Sequence, residues 1–194
     1  MKALRSLFCS LLVFGCSVLL GGCHSGYTTL TWNEEVRLND GRVVVVVQKR
    51  NCDPGYRGDD DCISRENSVS FSLPDFSPDP IVWHESLYLL VLNVNAGRLY
   101  AVGYPPTGRE FRMLGEPKPP YQGFVWEGGR WRHIPFAEIP TEIYDCNVFI
   151  GALPSYDSYL TVAEKESSAP GMRGDPKVAK DLKRVDPSCR DMNC

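Results

Sequence analysis

Eight cysteines, three histidines and a run of three aspartates are the groups in this sequence best suited to chemistry. His84-Glu85-Ser86-Leu87-Tyr88 opens like the helical motif of zinc proteases, in which paired histidines ligate the metal and the glutamate activates water. Tyr88 stands where the second histidine is required, so the motif fails. A serine nucleophile would sit in a Gly-x-Ser-x-Gly elbow, and none occurs. Asp59, Asp60 and Asp61, near Asp53, offer hard oxygen ligands for calcium, but their spacing departs from the alternating loop that holds this ion. A solvated surface turn is the plainer reading of that run. Glu34 and Glu35 are adjacent on a strand-like stretch and therefore point to opposite faces, which does not make the paired carboxylates of a glycosidase. No cofactor is expected from these residues.

Cysteine placement points to an oxidising compartment. Cys52 and Cys62 bracket the polar stretch CDPGYRGDDDC, and a bridge closing a loop of this length stabilises by roughly 2 to 3 kcal/mol. A metal site is the rival reading, and it lacks a Cys-x-x-Cys or a second Cys/His pair. Cys189 and Cys194 can close a small loop in the tail, leaving Cys146 as a buried thiol. Pairing of Cys146 with either tail cysteine fits the spacing equally well.

The amino terminus carries Lys2 and Arg5, no acidic residue, and a fourteen-residue apolar stretch from Leu7 to Leu20. That pattern is a secretory signal, too short for the roughly 20 residues of a membrane-spanning helix. The stretch ends in Leu20-Gly21-Gly22-Cys23, which resembles the lipobox of bacterial lipoproteins. The resemblance implies acylation of the Cys23 sulfur, cleavage after Gly22, and attachment to a membrane through several acyl chains. One chain holds only marginally; two or three hold firmly. His24 replaces the aspartate that favours inner-membrane retention in such families, so the resemblance implies the outer membrane. Cleavage removes Lys2 and Arg5, leaving 19 basic against 24 acidic side chains. This mildly acidic balance argues against nucleic acid as a partner and supplies no polybasic patch for anionic lipid.

The elements that must position these residues read as antiparallel sheet. Fifteen prolines and seventeen glycines, in a chain that is 43% hydrophobic, favour short strands and frequent turns. TLTWNEEVRL and RVVVVVQKR flank Asn39-Asp40-Gly41, a hairpin signal. A two-residue Asp40-Gly41 turn sets Leu38 opposite Val43 and Val36 opposite Val45, and the valine run predicts a central strand covered on both faces. Gly128-Gly129 predicts a second hairpin, with Glu127 opposite Arg130, Trp126 opposite Trp131 and Phe124 opposite His133. Phe124, Trp126, Trp131 and His133 then share one face, either packed in the core or exposed as a patch for a protein or glycan. SVSFSL, IVWHES, LYLLVLNV and RLYAVGY are further strands, with proline-rich breaks at Pro74 to Pro80 and Pro105 to Pro120. Residues 176–185, opened by Asp175-Pro176, predict the one helix.

The expected organisation is a signal peptide over 1–22, a lipidated tether over 23–30, an antiparallel β domain over 31–163, and a linker, short helix and Cys-containing tail over 164–194. The expected fold is mostly β: a meander, sandwich or open barrel. The body is also similar to a group of uncharacterised proteobacterial proteins with a Thr-Trp-x-Glu-Glu-Val-x-Leu-x-Asp-Gly-Arg start and a later Pro-Pro-Tyr to Gly-x-Trp hairpin, matched here by Thr31 to Arg42 and Pro119 to Trp131. That resemblance carries no activity. The function expected is a lipid-anchored, non-catalytic envelope binding module, such as an immunity-type inhibitor or an adaptor, meeting an envelope protein or a toxin. The alternative is a periplasmic hydrolase whose carboxylates are remote in sequence.

Overall fold

The computed structural model describes residues 28–54, 62–150, 159–167 and 184–192. The described chain is mostly β: β1 (Thr28–Arg37), β2 (Val43–Pro54), β3 (Cys62–Phe71), β4 (Ile81–Glu85), β5 (Tyr88–Asn95), β6 (Arg98–Tyr104), β7 (Gln122–Glu127), β8 (Arg130–Ile134) and β9 (Tyr159–Leu160). Two short helices, α1 (Gly108–Met113) and α2 (Val162–Ser167), accompany them. The strands form a five-stranded sheet in the order β4-β3-β2-β1-β9 and a four-stranded sheet in the order β5-β6-β7-β8. Neighbours are antiparallel except β9, which runs parallel to β1.

Alternation along each strand builds the core. Val36, Val46, Val69, Phe71 and Trp83 of the first sheet pack against Leu89, Leu92, Leu99 and Phe124 of the second. Trp83 meets Phe124 edge-on, with ring centroids 5.6 Å apart and planes at 86°. A register shift between Leu89 and Val91 turns Leu90 and Val91 together to the far side of the second sheet. There they join Tyr100, Val125, Ile143 and Val185 in a second apolar cluster. Among the described residues, the body is thus a sandwich whose second sheet is covered on both faces and whose first sheet is covered on one.

The first hairpin differs from the expected register. The Leu38 amide donates to the Arg42 carbonyl at 2.8 Å and the Gly41 amide to the Leu38 carbonyl at 3.0 Å, making a three-residue loop of Asn39-Asp40-Gly41. Gly41 supplies its positive φ of 88°. Arg37 therefore pairs with Val43, Val36 with Val44 and Glu34 with Val46. Because directly opposed residues share a face, Val44 and Val46 turn inward with Val36 while Val43, Val45 and Val47 turn out. The expectation that β2 is central holds; the expectation that both its faces are covered does not.

The second hairpin has the expected register, Glu127 opposite Arg130, Trp126 opposite Trp131 and Phe124 opposite His133. β1 opens at Thr28, paired with Cys52, so residues 28–30 belong to the sheet rather than to a tether. α2 opens on a capping box, Thr161 with Glu164, and α1 on a Thr107 N-cap whose hydroxyl also donates to the Glu110 carboxylate. The Thr107 hydroxyl accepts from the Arg109 amide at 3.1 Å, and Glu164 accepts from the Thr161 amide at 2.8 Å. α1 thus interrupts a break read as irregular, and α2 occupies the start of the stretch read as linker. The helix expected over 176–185 lies outside the described residues apart from Arg184 and Val185, and Arg184 forms an antiparallel bridge with Asp145. Among the described residues, no helix is long and apolar enough to cross a membrane.

Candidate binding face

The outward face of the five-stranded sheet follows directly from the hairpin register. Val43, Val45 and Val47 on β2 are 50%, 48% and 39% exposed, and Val82 on β4 is 49% exposed. Val47 pairs with Ser70, and Ser70 with Val82, so these three side chains form one row across three strands. The small serine between the valines leaves an open groove of about 700 Å³, lined by Val43, Val45, Val47, Ser70, Pro74 and Pro80. Arg42 stands at one end, its guanidinium 2.6 Å from Asp40 and 2.9 Å from Asp75. The Arg42 hydrogen bonds hold the Asp40 carboxyl below the usual carboxylate range. The strip of valine and serine can bury apolar area against a partner at little polar desolvation cost, and Glu35, opposite Val45, and exposed His84, opposite Ser68, border it on the same face.

The inward face of the same sheet changes from apolar to polar along β1 and β2. Glu34, fully buried, accepts hydrogen bonds from the Phe149 amide at 3.1 and 3.2 Å and lies 3.7 Å from the Lys165 ammonium. Gln48 donates to the Phe149 carbonyl at 2.9 Å. Burial pushes the Glu34 carboxyl up, against the pull of Lys165, and burial pushes the Lys165 ammonium down. Further along, the Arg50 guanidinium lies 5.0 Å from the Trp32 ring and 4.6 Å from the Tyr88 ring, and donates to Asn67 at 3.2 Å. Asn67 donates in turn to Ser64 at 2.7 Å and to the Leu87 carbonyl at 2.9 Å. These groups are turned toward each other and the backbone, out of solvent, so the strip clamps segments together rather than presenting a reactive group.

The aromatic face expected from the second hairpin is largely core. Phe124 is fully buried, and Trp126 and Trp131 pack against the same cluster with centroids 5.4 Å apart. The Trp126 indole donates to the Phe76 carbonyl at 3.4 Å. Only His133 is exposed, its ring 4.4 Å from Phe124 and its Nε2 3.2 Å from Glu85. The packing reading of these four residues therefore describes three of them.

Cys52 and Cys189 each belong to a disulfide, while Cys146 keeps a free thiol. Pairing of Cys146 with a tail cysteine, left open by the spacing, is thus not formed. Burial, then the neighbouring Asp145, pushes the Cys146 thiol up to about 12. Cys23, Asp59, Asp60, Asp61, Cys194 and the side chain of Cys62 lie outside the described residues. Among the described residues, no three His, Cys, Asp or Glu side chains are grouped to hold a metal ion.

The valine groove escaped sequence reading because five identical side chains give no hint of which three face out. The parity of the hairpin loop was the signal that could have found it. Compared with known proteins, the chain matches no family, no curated protein and no solved structure.

Proposed function

We propose that this protein is a lipid-anchored envelope protein that acts by surface contact and without catalysis, held to the outer membrane through acylated Cys23. The open valine groove carries the contact role: it is a preformed apolar surface on a rigid central strand. The charged and apolar leader ending in Leu20-Gly21-Gly22-Cys23 supports the anchor, and the disulfide-bonded Cys52 and Cys189 fit an oxidising compartment. Cys62 closes the loop that Cys52 opens and lies two residues along β3 from Ser64, which pairs with Cys52, and this proximity supports Cys62 as the disulfide partner of Cys52. Cys194 is then the partner of Cys189. An envelope protein or a secreted toxin remains the class of protein partner.

Labelling cells with radioactive palmitate, beside a Cys23→Ser control, tests the anchor; loss of label only in the control is the expected result. Recovery from crosslinked envelopes, with and without Val45→Asp, tests the contact role. Val45 is half-exposed, so the substitution leaves the fold intact and removes the captured neighbour, whether lipid or protein. Equal recovery from both proteins refutes the groove as a contact surface.

A further inference from the structure

We infer that the occupant of the valine groove is the phospholipid bilayer itself, against which the outward face of the five-stranded sheet lies flat; this rests on the anchoring reading of Cys23. Only four residues, and so five Cα–Cα steps, separate Cys23 from Thr28, where β1 begins. Extended, these five steps reach at most about 18 Å, so the start of β1 stays within that distance of the lipid headgroups. Val47 lies beside Asn33 and Val43 beside Arg37, about 17 and 30 Å along the strand from Thr28 at the usual rise per residue. A tether this short leaves the sandwich two postures. It stands on the end of the sheet, or it lies on a face that begins at that end.

The composition of the outward face selects the second posture. Val43, Val45, Val47, Ser68, Ser70 and Val82 form its middle; on the β1 side Glu35, opposite Val45, accepts from the Tyr159 hydroxyl and the Val162 amide, and Arg37, opposite Val43, pairs with Glu166. Burying the valine and serine strip itself therefore desolvates no charge, while the bordering Glu35, Arg37, Glu66 and His84 stay at the level of the polar headgroups. Lys49 is exposed in the same outward row, between Val47 and the tethered end, where its long stem lets the ammonium meet lipid phosphates. The opposite side of the molecule, where the loop carrying Glu142 covers the second sheet, then faces away from the membrane and is what a protein partner meets.

The test uses the full chain, lipidated in cells and reconstituted into phosphatidylethanolamine and phosphatidylglycerol vesicles containing a nitroxide-labelled lipid. An environment-sensitive fluorophore is placed at Val45→Cys, at Val82→Cys as a second position on the same face, and at exposed Glu142→Cys as the far-side control. The expected result is several-fold stronger quenching at both valine positions than at Glu142→Cys. Equal quenching at all three positions, in protein that carries palmitate, overturns the docking while leaving the anchor intact. Absence of palmitate refutes the anchor instead. Shielding of the valine probes in lipid-free Cys23→Ser protein overturns the docking as well, because a protein surface, such as a second copy, then covers the groove.

Discussion

Lys165 on α2 places its ammonium 3.7 Å from the carboxylate of Glu34 on β1, and donates at 2.7 Å to the Asn147 carbonyl. One cation thereby ties the end of the β domain to its first strand and to the segment that crosses β5. Glu35, on the opposite face of β1, completes the attachment by accepting from the Tyr159 hydroxyl at 3.1 Å and the Val162 amide at 3.0 Å.

Removing the cation leaves a buried carboxylate without its partner. Lys165→Met should lower stability by about 3 kcal/mol at neutral pH. Burial already holds the folded Glu34 carboxyl above its unfolded value, and loss of Lys165 raises it further. Between the two values the native state binds more protons than the unfolded state, so stability falls as pH rises through that window. The deficit should therefore be full above the folded value and vanish below the ordinary carboxylate value of about 4.3. Urea unfolding across this pH range checks it, and Glu34→Gln in the same protein should recover much of the loss at neutral pH.

Among the described glycines, Gly103 leaves the least room for a side chain. A Cβ there would lie 2.7 Å from Leu87 Cδ1, 3.1 Å from Leu87 Cβ and 3.3 Å from Phe124. Leu87 and Phe124 are both buried and cannot swing away. Gly103→Ala should cost about 1 to 3 kcal/mol through overpacking, read as a lower thermal midpoint. An unchanged midpoint contradicts the packing described.

The Cys146 thiol, raised from 9.0 to about 12, is almost wholly protonated near neutral pH. Its thiolate fraction is about a thousandfold below that of an unperturbed thiol. Alkylation of Cys146 in native protein at mildly alkaline pH should be slower by at least that factor, and unfolding without reductant should raise its rate to that of an unperturbed thiol. Mass spectrometry of alkylated protein checks both.

Asn147 acts as an additional strand residue beside β5, the edge of the four-stranded sheet. Its side chain accepts from the Leu92 amide at 3.0 Å and donates to the Leu92 carbonyl at 2.7 Å and the Arg37 carbonyl at 2.9 Å. Asn147→Ala leaves those backbone groups unpaired and should cost about 1 to 3 kcal/mol. Hydrogen exchange at the Leu92 amide should accelerate by more than the global loss of stability alone requires.

The legible parts of the fold are those whose geometry is set within a few residues. Gly128-Gly129 takes positive φ at both positions, and the register of β7 and β8 follows at once. Asp40-Gly41 is compatible with loops of two or three residues, and the valines on β2 satisfy either register by sequence pattern. The choice is made by distant contacts, among them the Asn39 amide donating to the Asn93 side chain at 2.6 Å. Thr107 to Glu110 and Thr161 to Glu164 are local signals that were readable, but the surrounding prolines and polar residues masked them. The burial of Glu34 was not readable at all, because the cation that accompanies it belongs to an element at the other end of the domain.

β1 lies between β2 and β9, and β9 and α2 come late in the chain. The Glu35 contact with Val162 spans 127 positions. Whether the polypeptide emerges from a ribosome or threads a pore in a membrane, its opening strand appears first and waits for its last neighbour. The hairpin with β2 can form early, yet the far edge of β1 stays open until almost the whole domain has arrived. Completion of the domain is therefore delayed to the end of its delivery, which keeps the passing chain pliable and leaves an interval in which a holding chaperone is most needed.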